Sequence, residues 1–307
     1  MRDAGTQGIV TRLSGSSTVR VVSTLVGGPW RFVRRWPVIP LIVLVTLVVV
    51  GIFAPVIAPH DPYAGRVMDR FSPPMWMSGG SSKYVLGTDH SGRDILSRIM
   101  YGGRISLTVV AISLGSGFVI GTTLGVVSGY LGGWWDEAMM RIVDVWYALP
   151  FLMIALVAVI LFGQSLTTVL VLLGLLAWVG FVRVVRANTL VVKELDYIAL
   201  ARVAGASTFR IIFRHILPMV INAAVVIATL NVGSLIISEA TLSFLGAGIP
   251  APKPAWGTMV AEGRNYLVSS WWVAFWPICA IFLVVMSLNF LGDWLRDRLD
   301  PRLRQLD

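Results

Sequence analysis

The sequence is short of charge and almost without cysteine. Only 13% of its 307 residues are Asp, Glu, Lys or Arg, about half the roughly 25% of a soluble domain. So few charged side chains cannot cover a water-facing surface. The single Cys279 excludes an internal disulfide framework and a cysteine zinc site. The three histidines, His60, His90 and His215, form no HExxH helix, and no GxSxG nucleophile elbow occurs. None of the three lysines, Lys83, Lys193 and Lys253, follows a glycine, so there is no GxxxxGK[ST] phosphate loop. What is abundant is apolar: 56% of residues, 12 tryptophans and a mean hydropathy of +0.78. The net charge of +9 would suggest nucleic acid only on a water-exposed basic face, and the basic residues lie elsewhere.

A bilayer core about 30 Å thick takes roughly 20 apolar helical residues to cross. The charge-free run Pro37 to Ala58 supplies one crossing, and Ile105 to Trp135, with Gly115, Gly117, Gly121 and Gly125, a second. Val145 to Val182 is too long for one helix, and Gly163-Gln164-Ser165 divides it into two spans. Ile216 to Ser238 supplies a fifth span, and Asn265 to Gly292 contains a sixth. Six crossings put both termini on one side. Of the 25 Lys and Arg residues, 17 fall on that side, including six in the tail before Pro37 and Arg302 and Arg304 after the last span. The excess of basic residues predicts that this side is cytoplasmic. The first 28 residues lack the apolar stretch of a cleavable signal, so they read as a tail and the first span as an uncleaved insertion signal.

The resulting division is a cytoplasmic N-terminal tail (1–36), a first transmembrane helix (37–58) and an external loop with an interfacial helix starting at Ser91 or Asp94 (59–103). A five-helix core (104–292) containing a cytoplasmic loop (183–218) and a cytoplasmic C-terminal tail (293–307) complete it. In the external loop, Asp89, His90, Asp94 and His60 are possible metal ligands, but their spacing fits no compact motif. Asp94 and Arg98 read as an ordinary i,i+4 pair. Trp134, Trp135, Trp271, Trp272 and Trp294 read as interfacial anchors, and Cys279 as a small packing residue.

The cytoplasmic loop carries the clearest local signals. Asp196 can cap a helix running to Ala204, with Gly205 at its C-terminal stop. Ser207 can cap a second helix, Thr208 to Leu217, before Pro218 resets the chain for the fifth span. Phe209, Ile212, Phe213 and Ile216 share an apolar face, with Arg210 and Arg214 on another. Small residues at Ala199, Ala201, Ala204, Gly205 and Ala206 permit close approach. Two readings are open: a hairpin resting on anionic lipid, or a docking element for a partner. In the fifth span Glu239 is an ionisable group where charge is costly. It either lines a translocation path, with Asn231 and Ser238, or is a structural partner of a backbone group or an arginine.

The stretch DYIALARVAGASTFRIIFRHILP (196–218) resembles the EAA loop of ABC-transporter permeases of the binding-protein-dependent import class. VLGTDHSGRDILSRIMYGGRISL, SGYLGGWWDEAMMRIVD, EATLSFLGAG, WGTMVAEGRNYL and LNFLGDWLRDRLDPR extend the resemblance, in order, to the C-type subunit of dipeptide/oligopeptide importers. Ala199-Leu200-Ala201 stands where that family usually has Glu-Ala-Ala, while Gly205 and the closing Ile216-Leu217-Pro218 are kept.

The resemblance implies an all-α integral membrane protein of six transmembrane helices with the type I ABC importer permease (MetI-like) fold. Asp196, Tyr197, Ala199, Leu200, Ala201, Gly205, Ala206, Ser207 and Arg210 would then couple to a cytosolic ATPase. Implied partners are a second homologous permease, two ATPase subunits, an extracytoplasmic peptide-binding protein and the lipid bilayer, with no nucleic acid. No cofactor is implied in this chain, ATP and magnesium belonging to the ATPases, and the location is the inner membrane. The implied cargo is a short peptide, with nickel or another small solute as alternatives. A secondary transporter, an intramembrane enzyme and a scaffold are the rival classes; the first lacks two Gly/Pro-broken halves, and the second a catalytic constellation.

Overall fold

The computed structural model describes residues 37–299. The tail before Pro37, and Arg302 and Arg304, lie outside the described residues. The chain divides into the units Met1–Ile39 and Pro40–Asp307, and of the first only the start of one helix is described. Among the described residues there is no strand, only a single bridge between Thr88 and Asp94.

Among the described residues ten α-helices follow one another: α1 Val38–Ile57, α2 Ile95–Leu131, α3 Gly133–Ala148, α4 Phe151–Phe162 and α5 Leu166–Val192. Then come the short α6 Asp196–Val203 and α7 Thr208–Ile211, a π turn Ile212–Ile216, and α8 Leu217–Phe244, α9 Trp256–Gly263 and α10 Trp272–Leu299. Among the described residues five helical runs are long and apolar enough to cross a membrane, six if the bent pair α3 and α4 counts as one. The six crossings read from the sequence are therefore present, with several boundaries moved.

The second crossing starts ten residues early. Asp94 caps α2, its Oδ2 accepting from Ser97 N at 2.9 Å and Ser97 Oγ at 2.6 Å, and the helix then runs unbroken to Leu131. The expected interfacial helix is thus the first turns of the span itself. The third crossing begins at Gly133, not Val145, and bends by 85° between α3 and α4. Pro150 explains the break: it has no N–H, and Leu149 before it is held extended at φ −90, ψ 127. The last crossing extends through the expected start of the C-terminal tail, to Leu299.

Without a hydrophobic force between helices in lipid, close packing by small residues holds the spans together. On α2, Gly117, Gly121, Gly125 and Gly129 recur every four residues and face α5. A methyl group at Gly121 would lie 2.4 Å from the Trp178 carbonyl oxygen and 2.5 Å from Phe181 Cβ. Gly115, off this stripe, faces open space.

The expected break at Pro218 is absent. Leu217 N–H reaches the Ile212 carbonyl five residues back, and this π turn lets a chain with a missing donor at Pro218 remain helical. From Thr208 to Phe244 the run is continuous.

Candidate functional site

The loop between α5 and α8 is an elbow made of α6 and α7. Leu195, not Asp196, is the N-cap of α6; Asp196 is its first residue and accepts no capping bond. Its carboxylate still sits favourably at the positive end of the helix dipole. Gly205 has φ +78, and the Ala206 and Gly205 N–H groups return to the Ala201 and Arg202 carbonyls, both at 3.0 Å. That pair of bonds is a Schellman stop. Ser207 then caps α7 through Arg210 N. Ala206 is half-buried at the corner, and Ala201 half-buried on the inner side of α6.

Three anchors fix the elbow to the spans. Ile198, Ile211 and Ile216 are buried in a cluster with Phe181, Val185, Val192 and Val220. Lys193 Nζ donates to the Gly129 carbonyl at 3.0 Å, in the last turn of α2, where a cation suits the dipole. Arg202 lies over the Tyr130 ring at 5.6 Å. Beneath the elbow, Arg186 grips Asp136 with two bonds, and Ser128 Oγ donates to Asp136 at 2.6 Å. α2, α3 and α5 thereby share one polar clamp.

The outer surface of the elbow carries a cluster of exposed apolar side chains. Leu200, Val203, Phe209 and Phe213 are exposed, Val203 by 87% and Phe209 by 70%, and the two phenylalanine rings stack with centroids 4.3 Å apart. This corrects the face inferred from the sequence: Phe209 and Phe213 point out, and the buried stripe is Ile211 and Ile216. The π turn rotates the register, so a pattern counted at 3.6 residues per turn assigns the wrong side chains. Asp196, Tyr197, Ala199, Leu200, Gly205, Ser207 and Arg210 are all exposed on the elbow. These residues lie on the two short helices and the corner between them.

The residues weighed for a path are distributed differently. Glu239 is buried, with 2% exposure, and accepts from Ser243 Oγ at 2.7 Å. Ser243 in turn accepts from Ile249 N at 3.2 Å. The carboxylate thus sits at the root of the α8–α9 connection. Asn231 and Ser238 are half-buried.

On the opposite side of the molecule, the i,i+4 pairing of Asp94 with Arg98 does not form. Arg98 instead pairs with Asp89 and with Glu262, the latter at 2.8 Å, while Arg93 bonds Asp89 at 2.7 Å and Glu262 at 3.1 Å. Burial pushes the Asp89 carboxyl up, but the Arg98 and Arg93 guanidiniums and two backbone N–H groups outweigh it and hold it below the ordinary carboxylate range. Asp89, His90 and Glu262 lie close enough to offer metal ligands, yet both carboxylates are already neutralised by arginines. Trp272 is buried, its Nε1 donating to the Thr88 carbonyl at 3.3 Å, so it locks this loop to α10 and is no interfacial anchor. The sequence contained Glu262 and Arg98 but gave no sign of their pairing.

With this geometry in view, residues 121–305 match the family described as binding-protein-dependent transport system inner membrane component, and residues 30–74 match the N-terminal TM domain of oligopeptide transport permease C. The chain is 42% identical over 282 residues to the glutathione transport system permease protein of Pectobacterium atrosepticum, covering 90% of this chain and 92% of that protein. It is 37% identical to the di/tripeptide transport system permease protein of Pseudomonas aeruginosa over 86% of this chain and 87% of that one. The corresponding figures for the dipeptide transport system permease protein of Bacillus subtilis are 40%, 86% and 81%. Among solved structures, an inward-facing MetNI methionine ABC transporter chain aligns with a TM-score of 0.51 at 21% identity, covering 64% of this chain and 93% of that chain. That likeness shows the fold.

Proposed function

Because the chain belongs to the binding-protein-dependent transport system inner membrane component family, and so is a multi-pass inner-membrane permease of an ABC importer, we propose that it forms half of a path for short peptides. It pairs with a homologous permease, two cytosolic ATPase subunits and an extracytoplasmic binding protein. Both termini face the cytoplasm, in keeping with the 17 basic residues on that side. The relatives' names, which refer to glutathione, dipeptides and tripeptides, support a peptide cargo.

The observation that carries the coupling role is the apolar cap Leu200, Val203, Phe209 and Phe213 on an elbow anchored from beneath. Exposed apolar clusters of this kind seek a partner. An ATPase groove that closes on nucleotide would push α6 and α7 as one body, and the unbroken run from Thr208 to Phe244 would carry the push into the membrane. The ATPase subunits hold ATP and magnesium, and this chain is the non-catalytic member. Ala199 in place of the family's glutamate leaves apolar contact, not an ion pair, as the grip.

Gly205 offers a direct test. A Cβ added there meets no atom of this chain within 4 Å, so a large side chain obstructs a partner, while the backbone strain of any Cβ at φ +78 is shared by Gly205→Ala, which is the control. Gly205→Trp is expected to abolish ATP-driven uptake and substrate-stimulated ATP hydrolysis with the membrane level unchanged. Normal stimulated hydrolysis in that variant would refute the coupling role.

A further inference from the structure

A strip of polar groups on the membrane-spanning helices faces outward, where lipid cannot satisfy it. Asp144 of α3 and Arg183 of α5 form an ion pair at 2.6 Å with side chains 67% and 52% exposed. The Arg183 guanidinium also lies over the Tyr147 ring at 4.6 Å. Gly180, one turn along α5, leaves room for the neighbours: a Cβ there would sit 3.7 Å from Asn231 Nδ2 and 3.9 Å from the Tyr147 hydroxyl. Ser234, one turn beyond Asn231 on α8, is exposed, its hydroxyl donating to the Asn231 carbonyl at 2.8 Å. Beside them the backbone is broken at Leu149-Pro150, both exposed.

Depth follows from helix rise. At about 1.5 Å per residue, Ser234 lies roughly 15 Å from the outer end of α8, near the middle of a core about 30 Å thick. Asn231 and Gly180 lie about 20 Å from the outer ends of their helices, and Arg183 about 26 Å. The strip therefore runs from the midplane to the inner boundary. The amide and hydroxyl groups near the midplane, and irregular backbone within the core, are stable only against protein or water, and the Asp144–Arg183 pair continues the same strip to the inner boundary. Among the described residues, no other part of the chain covers them.

We propose that Asp144, Tyr147, Arg183, Asn231 and Ser234 line the inner half of the water-filled path, and that the Asp144–Arg183 pair receives the free ammonium and carboxylate of a zwitterionic peptide in transit. The half-exposed pair offers one charge of each sign without a buried, unpaired ion in the empty state. The inference rests on the permease reading and adds the cargo-facing residues to it.

The experiment uses the full assembly in vesicles, with Cys279→Ala as background. Ser234→Cys, a near-isosteric change, is expected to react with a membrane-impermeant cationic methanethiosulfonate and so block peptide uptake. Protection of that thiol from the charged reagent, with full reaction after denaturation, would overturn the placement. Asp144→Asn and Arg183→Gln are each expected to lower uptake at least tenfold, and the charge-swapped pair Asp144→Arg with Arg183→Asp to remain low. Recovery of uptake in the swapped variant would mean that the pair is only a clamp and would overturn its cargo role. Substrate-stimulated ATP hydrolysis by the parent assembly is scored separately. Labelling without stimulation keeps the path and removes the ATPase coupling, and stimulation without labelling does the reverse.

Discussion

Arg98 is the residue on which the side of the molecule opposite the elbow turns. It is 1% exposed and joins Asp89, nine residues away, to Glu262 in α9, 164 residues away. Removing one member of a buried ion cluster leaves the others unpaired, at a cost of about 3–5 kcal/mol. Arg98→Ala is therefore expected to lower the thermal midpoint of the detergent-solubilised protein sharply, whereas Lys83→Ala, which breaks an exposed pair with Asp69, should barely move it. The pH dependence has a definite sign. Asp89 is held below its ordinary value of 3.8, so its stabilisation is present above that value and lost as pH falls through the depressed one. Between pH 5 and 8 the stability gap between the native protein and Asp89→Asn should be constant, and it should shrink only below about pH 4. A gap that closed near neutrality would contradict the pairing. Local spacing made Asp94 the obvious partner for Arg98. The true partners are set by the return of α9 to this side, which no i,i+4 rule contains.

At the scale of elements, glycine does two different jobs. On α2 it is absent bulk: a methyl at Gly121 meets the Trp178 carbonyl at 2.4 Å, so Gly121→Val should separate α2 from α5 and abolish stable folding, while Gly115→Ala, in open space, should be tolerated. Thermal unfolding of both variants checks this. At Gly205 it is backbone freedom: φ +78 disfavours any side chain with a Cβ by about 1–2 kcal/mol. Gly205→Asn, which tolerates the left-handed region, should weaken the elbow less than Gly205→Ala, read as proteolytic susceptibility of the 193–210 segment. The Gly205 stop and the Ser207 cap were legible in the sequence because both are local chemistry. The separation of buried Ile216 from the exposed Phe209 and Phe213 was not, because one π turn shifts the register by a residue. Pro150 carried a legible warning of the break in the third span, but the apolar run starting at Val145 masked the amphipathic α3 before it.

For the whole molecule, length and hydropathy were enough to count six crossings, since the bilayer thickness sets that number for any chain. Boundaries depended on where helices continue beyond the apolar core: α2 and α10 both run on through charged residues that hydropathy assigned to loops. The site divided in the same way. The elbow was readable as a contiguous motif, whereas the Asp144–Arg183–Asn231 strip assembles three separate helices and had only Asn231 in view beforehand. On the proposed function these parts would act together: the anchored elbow would receive the stroke of an ATPase, α8 would carry it inward, and the polar strip would border the route it opens. The central claim is that the apolar cap of the elbow is the ATPase contact. The direct measurement is a photo-crosslinking residue at Val203 in the assembled complex. The account predicts a crosslink to the ATPase subunit whose yield changes with bound nucleotide. Crosslinks to lipid alone, with none to the ATPase in any nucleotide state, would contradict it.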